Sequence, residues 1–230
     1  PVKVLRDVKG IDNILSISKN IGVKRVFFAS SSEVYGEPVE VPQNVYTTPL
    51  NSRLPYAIVK NIGEAYLRSF HKEYGLDFTI FRLFNTYGPN QSKDFVISKF
   101  LYNALKNRDI KIYGDGTQTR TFCYIDDNVE ASVKIAYDDK LINDVVNIGQ
   151  SRETTIKELA QMIVNITGSS SKIIHVDPLQ LWKSGNEKDP SFWFASPEHN
   201  NHPKRNRFYR MSWSRFGGCL SEVANRLDDV

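Results

Sequence analysis

The stretch VKRVFFASSSEVYG, residues 23–36, joins an apolar run to a polar end that holds three serines, a glutamate and a tyrosine. The run VKRVFFAS is rich in β-branched and aromatic residues, which predicts a short buried strand. The polar residues from Ala29 to Gly36 allow two interpretations. Either they form a polar turn that closes the strand, or they carry chemistry at its end.

Predicted helices and strands alternate on either side of this stretch. Apolar residues at helical spacing predict helices over Val2–Asn20, Tyr56–Tyr74, Asp94–Lys106, Asp127–Tyr137 and the segment TTIKELAQMIVNIT, which Thr154 or Thr155 caps. The predicted strands after the first are DFTIFRLF, IKIYG, DVVNIG and KIIHV. Such alternation predicts βαβ units and a parallel sheet, hence an α/β fold.

Composition is that of an ordinary globular protein, with 40% hydrophobic and 24% charged residues. The formal net charge of +4 is spread along the chain, and the basic cluster PKRNRFYR is interpreted as a solvated surface, so no nucleic-acid partner is expected. No apolar run approaches the roughly 20 residues of a membrane span. Cys123 and Cys219 have neither disulfide-framework nor metal-ligand spacing. Since no signal peptide opens the chain, we expect a cytoplasmic protein with no membrane partner and no metal.

The segment LPYAIVKNIGEA places Tyr56 and Lys60 four residues apart, so that their side chains share one face of a predicted helix. An ammonium group near a phenol favours the tyrosinate and brings it toward the range useful for a general base. The same spacing recurs at Tyr102 and Lys106, where no serine-rich strand end lies upstream. The spacing alone is therefore not diagnostic, and the surrounding motifs single out Tyr56.

Those motifs are a strand that ends in serines, a Pro-rich loop, Tyr-x-x-x-Lys, FRLFNTYGP and GDGTQTRTFCYIDD, in this order. From roughly Val2 to Val176 the chain thereby resembles the extended short-chain dehydrogenase/reductases, specifically the NAD-dependent nucleotide-sugar epimerases, dehydratases and decarboxylases. The resemblance implies a partial doubly wound, Rossmann-type parallel sheet with a smaller α/β substrate-binding domain. It implies three segments: residues 1–90 as the C-terminal part of the NAD-binding domain, 91–178 as the substrate-binding domain with interleaved elements, and 179–230 as an atypical tail.

The resemblance also implies roles at matching positions. The family's catalytic Ser or Thr lies four residues before the Tyr of Val-Tyr-Gly, which selects Ser31 over Ser30 and Ser32. Ser31 would hydrogen-bond the sugar 4-hydroxyl, Tyr56 would remove its proton, and Lys60 would hold the nicotinamide ribose. Hydride would pass from C4 to NAD, the expected cofactor, and leave a 4-keto sugar.

Further matches concern binding. Phe84 matches a position beside the nicotinamide, so that Ser31, Tyr56, Lys60 and Phe84 are the expected cofactor-binding residues. Asn85 and Arg120 match residues that bind the diphosphate of a nucleotide sugar, here expected to be a UDP-sugar, and a guanidinium suits phosphate oxygens. The expected substrate-binding set is Ser31, Glu33, Tyr56, Asn85 and Arg120. Structural roles stay open: Asn85 could cap a turn, and Arg120 could pair with Asp126 or Asp127.

Glu33 bears on which reaction is catalysed. The family's 4,6-dehydratases and uronate decarboxylases tend to carry Glu at this position, and in dehydratases it resembles the base that takes the C5 proton. Many 4-epimerases have a small residue or Thr there. Ser32 stands where dTDP-glucose-type dehydratases carry Asp, and the interval from Ser31 to Tyr56 is of epimerase length. We therefore expect a UDP-sugar 4-epimerase, with UDP-glucuronate decarboxylase and 4,6-dehydratase as alternatives; structurally, Glu33 could be a solvated loop acid.

Some family features are missing from the sequence. No Gly-x-x-Gly-x-x-Gly turn, which would cradle the NAD pyrophosphate, occurs in it. Asp7 stands where the family has an Asn that touches NAD. We therefore expect the first strands of the nucleotide domain to be missing, and a non-catalytic fragment unable to hold NAD is the alternative from another class.

The segment from about Leu179 onward has no family-like ending, which predicts a shifted reading frame, a foreign join or disorder. Relatives commonly pair through the helices that flank the active site. A homodimer is therefore expected.

Overall fold

The computed structural model describes residues 2–36, 39, 43–177, 208–210 and 219–224. The helices are α1 (Val2–Asn20), α2 (Pro55–Tyr74), α3 (Val96–Leu105), α4 (Ile125–Ala136) and α5 (Ile156–Thr167). The strands are β1 (Arg25–Ser31), β2 (Asp77–Leu83), β3 (Thr86–Tyr87), β4 (Ile110–Tyr113), β5 (Thr119–Thr121), β6 (Cys123–Tyr124), β7 (Asp144–Gly149), β8 (Glu153–Thr155), β9 (Ile173–Val176) and β10 (Phe208–Arg210). These elements confirm the predicted alternation of strands and helices.

The chain divides into two compact units. The first unit comprises Pro1–Phe84, Asp126–Gly149 and Asn201–Arg210, and the second comprises Asn85–Ile125, Gln150–Asn200 and Met211–Val230. The functional roles predicted for residues 1–90 and 91–178 stay predictions.

A parallel sheet in the order β1-β2-β7-β10 forms the centre of the first unit. Successive side chains of a strand point to opposite faces, so each strand contributes to two cores. On one face, Ile80 of β2 packs with Leu15 of α1 and Leu67 of α2. On the other face, Phe81 packs with Ala131 of α4. Helices on both faces of a parallel sheet define the doubly wound arrangement that the family resemblance implies.

Helix α2 packs closely on β1. It begins with Pro55, whose missing N–H costs no helical hydrogen bond at that position, and is capped after Tyr74 by Gly75, whose φ of 70° is left-handed. A Cβ added at Gly63 would overlap the ring of Phe28 on β1, whereas one at Gly10 of α1 would meet no atom of the described residues within 4 Å. The Tyr-x-x-x-Lys helix therefore lies directly against the strand that ends in serines.

The second unit is described as three two-stranded sheets, with β3–β6 and β4–β9 parallel and β5–β8 antiparallel. Helices α3 and α5 pack on β4 through a core that includes Leu101, Ile110 and Ile163. Helix α5 begins with a capping box in which Thr155 and Glu158 satisfy each other's backbone N–H groups, which confirms the predicted cap.

Two pieces of the predicted atypical tail are described. Phe208–Arg210, within the cluster interpreted as a solvated surface, pairs with β7 as β10. Residues 219–224 are helical, and Leu220 and Val223 join the core of the second unit. The rest of the tail lies outside the described residues, and its origin in a shifted frame, a foreign join or disorder stays a prediction.

Candidate active site

Ser31 lies where β1 ends and a 3-10 turn, Ser32–Tyr35, begins. It is the N-cap of that turn, and its Oγ accepts a hydrogen bond of 3.2 Å from the backbone N–H of Glu33. This contact fixes the side chain of a buried serine. A hydroxyl that accepts one hydrogen bond can still donate its own hydrogen, so Ser31 is suited to bind a substrate oxygen.

Tyr56 and Lys60 meet as the spacing predicts. Tyr56 lies in the first turn of α2 and is 57% exposed. The ammonium nitrogen of Lys60 lies 5.5 Å from the centroid of the Tyr56 ring and donates a hydrogen bond of 2.8 Å to the carbonyl oxygen of Ala29. Since Ala29 precedes Ser31 by two residues in β1, the three side chains belong to one helix–strand junction within the first unit.

Burial lowers the pKa of Lys60, because the charged ammonium loses part of its hydration. The negative charge of Asp7 on α1 has the opposite but smaller effect, so the pKa of Lys60 is lowered overall. Asp7 is the residue that replaces the family's Asn in the sequence. The departure from the family motif therefore acts electrostatically on the lysine of the candidate site.

Phe84 and Glu33 lie beside the same strand ends. Phe84 is buried against Val34 and Tyr35, and its N–H donates to the carbonyl oxygen of Ile148 at 2.9 Å. Glu33 is half-buried within the 3-10 turn. The cofactor contact predicted for Phe84 and the base role predicted for Glu33 stay predictions.

Asn85 and Arg120 belong to the second unit. The backbone oxygen of Asn85 accepts a hydrogen bond of 2.8 Å from the N–H of Cys123. Arg120 lies in β5 opposite Thr154 of β8, and its Nη1 donates to the carbonyl oxygen of Thr119 at 2.9 Å. Both residues are half-buried, and their binding of a diphosphate stays a prediction.

A buried ion pair lies next to Ser31, and the site residues predicted from the sequence do not include it. Arg82 of β2 donates to both carboxylate oxygens of Glu64 on α2, through Nη2 at 2.7 Å and Nε at 3.0 Å, and each residue is 2% exposed. Burial disfavours the charged guanidinium, but hydrogen bonding to Glu64 raises the pKa of Arg82 overall. The sequence did contain a signal for this ion pair, because an arginine inside the apolar run DFTIFRLF requires a buried partner.

The residues that the structure describes contain neither a metal-ligand cluster nor a membrane-spanning helix. Within those residues, no cluster of three or more His, Cys, Asp or Glu side chains is arranged to hold a metal ion. None of the described helices is both long and apolar enough to span a bilayer.

A doubly wound parallel sheet with serine, tyrosine and lysine at one helix–strand junction defines the short-chain dehydrogenase/reductase class. The NAD dependent epimerase/dehydratase family matches residues 1–149, and the chain belongs to that family.

Relatives within the family include decarboxylases and epimerases. UDP-N-acetyl-alpha-D-glucosaminuronate decarboxylase of Bacillus cytotoxicus is 40% identical over 190 residues, which cover 79% of this chain and 58% of that protein. UDP-glucuronic acid decarboxylase 6 of Arabidopsis thaliana is 35% identical over 170 residues, which cover 71% of this chain and 49% of that protein. This chain thus spans about half the length of these curated relatives.

Among solved structures, the UDP-N-acetylglucosamine 4-epimerase of Methanobrevibacter ruminantium, in complex with UDP-N-acetylmuramic acid, superposes with a TM-score of 0.82 at 28% identity. The match covers 97% of this chain and 69% of that one. The sequence relatives include a putative UDP-glucose 4-epimerase of Methanocaldococcus jannaschii besides the decarboxylases, so both reactions occur among the proteins that this chain resembles.

Proposed function

We propose that the protein is an NAD-dependent nucleotide-sugar enzyme that oxidises C4 of a UDP-sugar, and that its reaction is 4-epimerisation. The observation that carries the proposed oxidation is the position of Lys60, whose ammonium lies 5.5 Å from the centre of the Tyr56 ring while bonding to the strand that ends at Ser31. A positive charge at this position lies beside the phenol group that would act as the base when an alcohol is oxidised.

Each residue has a distinct task in this proposal. Ser31 donates a hydrogen bond to the sugar 4-oxygen, the phenolate of Tyr56 takes the 4-hydroxyl proton and becomes a phenol, and Lys60 provides a positive charge beside that phenolate before the transfer. NAD, held by Ser31, Tyr56, Lys60 and Phe84, would supply the hydride acceptor for C4 and the hydride donor for the ketone. After the 4-keto sugar has rotated in the site to present its opposite face, Tyr56 returns the proton to the oxygen, which gives the C4 epimer.

The residues present fit the nicotinamide end of NAD. Ligands of doubly wound sheets bind beyond the carboxyl ends of the strands, where Ser31 and Phe84 lie. An ammonium group has three donors, so Lys60 can bond a ribose hydroxyl besides Ala29. The glycine-rich turn for the pyrophosphate is not part of this sequence. We therefore assign Lys60, Tyr56, Ser31 and Phe84 to the nicotinamide ribose and ring.

Decarboxylation of a UDP-uronate is the second candidate. It is supported by the 40% identity to a uronate decarboxylase and by Glu33, which matches the glutamate of such enzymes. The first step is the same, because oxidation at C4 turns a uronate into a β-keto acid, which loses CO2 readily. Only the fate of the 4-keto sugar separates the two reactions; 4,6-dehydration, the remaining alternative, also depends on Glu33.

The assembly and location belong to the same proposal. A homodimer is supported by the family resemblance, and its test is the mass of the purified protein in solution. The proposed cytoplasmic location is supported by the sequence alone.

We also propose that Asn85 and Arg120 bind the diphosphate of the substrate, which their match to family positions supports.

Product analysis tests the proposed reaction. The purified protein would be incubated with NAD and, separately, with UDP-glucose, UDP-N-acetylglucosamine and UDP-glucuronate, and the products followed by proton NMR. A C4 epimer supports the proposal, whereas release of CO2 with a UDP-pentose supports decarboxylation and a stable 4-keto-6-deoxy sugar supports dehydration. Absence of both NAD binding and turnover would favour the non-catalytic interpretation.

A further inference from the structure

We propose that a buried network of Ser30, Glu64 and Arg82 is the positioning device of the site: it fixes the segment that carries Ser31 against the helix that carries Tyr56 and Lys60. The inference rests on the proposed function. None of the three network residues is assigned a contact with substrate or cofactor, so each acts through its neighbours.

The first link joins the helix to the catalytic strand. Glu64 lies one helical turn beyond Lys60 in α2, and its Oε1 accepts a hydrogen bond of 2.6 Å from the Oγ of Ser30. Ser30 directly precedes Ser31 in β1. A charge-assisted hydrogen bond of this length is among the stronger ones in proteins. This hydrogen bond therefore fixes the distance between the helix and the strand end at a point next to the proposed catalytic residues.

The second link spans the sheet. Arg82 is paired in register with Ser30 of β1 and with Asn147 of β7, so the three residues form one polar row across neighbouring strands. Arg82 binds Glu64 through two hydrogen bonds. The row contacts α2 through the carboxylate of Glu64, which is therefore bound by β1 and β2 at once.

The third link reaches the far end of the catalytic segment. Nη1 of Arg82 donates to the hydroxyl of Tyr35 at 2.9 Å, and that hydroxyl donates to Oδ1 of Asn147 at 2.8 Å. Tyr35 closes the 3-10 turn that begins after Ser31. Ser30 and Tyr35 thus hold the intervening residues, including Ser31 and Glu33, from both sides.

Stability alone does not account for such a network. A buried ion pair loses much of its Coulombic gain to desolvation, and apolar residues of similar volume often replace it without loss of stability. Directional hydrogen bonds, in contrast, fix positions. An error of about 1 Å in the placement of reacting groups can lower a rate about 100-fold, so a network with fixed donor and acceptor distances has a direct use here.

Ser30→Ala is the test variant, because truncation of Glu64 or Arg82 would leave a buried charge and could unfold the protein. Its matched control is Ser98→Ala in the second unit, which also removes a buried serine whose Oγ donates to a side chain, here Oε1 of Gln91 at 3.2 Å. We expect Ser30→Ala to lower kcat about tenfold with KM within about twofold, and Ser98→Ala to leave both unchanged.

A second measurement does not depend on turnover. In protein labelled with 13C at lysine Cε, NMR titration reports the pKa of Lys60, whose resonance is assigned with Lys60→Arg. If Ser30→Ala loosens α2 from β1, water reaches the ammonium and the pKa of Lys60 rises toward its ordinary value of 10.5.

The two measurements separate the two proposals. A wild-type protein without turnover contradicts the proposed function, and the Lys60 titration then decides the positioning role by itself. An unchanged titration in Ser30→Ala, or equal losses of kcat in Ser30→Ala and Ser98→Ala, overturns the positioning role. A shift of the titration that occurs only in Ser30→Ala supports it.

Discussion

Lys60 donates a hydrogen bond of 2.8 Å to the carbonyl oxygen of Ala29, and so links the helix of Tyr56 to the strand of Ser31. The bond leaves the ammonium over the phenol ring, 5.5 Å from its centroid. One lysine therefore has both a structural contact and an electrostatic one.

Tyr56→Phe should lower turnover by about 100-fold to 10,000-fold, the range that a lost general base covers. Tyr102→Phe is the matched control, since Tyr102 also stands four residues before a lysine but lies on α3, with Lys93 at 4.4 Å from its ring. Steady-state kinetics with the best UDP-sugar measure both variants. Comparable losses in the two would contradict the choice of Tyr56.

Glu33→Gln should separate epimerisation from 4,6-dehydration. A 4-epimerase needs no base at C5, so we expect the variant to keep its rate within about tenfold of wild type, below the range for a lost general base. Dehydration removes the C5 proton and should fall much further. Rates are compared by NMR with the substrate that the wild type turns over. A loss of 100-fold or more in epimerisation would show that Glu33 has a direct role there.

Asp7→Asn should lower the pKa of Lys60, because the Asp7 charge opposes the effect of burial. Below its unfolded pKa near 10.5, the lysine is protonated more fully in the unfolded chain than in the folded one. The free energy of unfolding should therefore rise with pH between the folded and unfolded pKa values, over a wider interval in the variant. NMR titration of labelled lysine checks the shift. Asp12→Asn, which removes the partner of Lys9, is the control and should not move it.

Gly63→Ala should destabilise the first unit by about 1–3 kcal/mol, the usual cost of overpacking, because the new methyl group would overlap the ring of Phe28. Gly10→Ala makes the same change in an open part of α1 and should stabilise the protein by up to about 1 kcal/mol. Urea unfolding measures both free energies. A Gly63→Ala variant as stable as Gly10→Ala would mean that the contact between α2 and β1 can relax.

Local patterns predicted much of the fold. The period of apolar residues located α1 and α2, and Thr155 marked the start of α5, because each of these signals lies within the element that it defines or directly beside it. Strand β10 could not be found in this way, since three residues are too few for an alternating pattern. Its pairing with β7 depends on residues distant in the sequence.

In the candidate site, too, contacts between residues close in the sequence were predictable, and contacts between distant residues were not. Tyr56 and Lys60 were predictable because four residues of helix bring them together. The partner of Arg82 was not, because Glu64 lies on another element and only the packing of α2 on the sheet brings them into contact. The sequence could indicate that Arg82 needs a partner, but it could not choose among the carboxylates of the chain.

The polar row of Ser30, Arg82 and Asn147 also has a consequence for folding. A slip of one residue in the pairing of β2 with its neighbours would turn the side chain of Arg82 to the opposite face of the sheet. Arg82 would then be buried away from Glu64, and a buried charge without its partner costs about 3–5 kcal/mol. The row thus discriminates against misaligned strand pairing during assembly, before any substrate is bound.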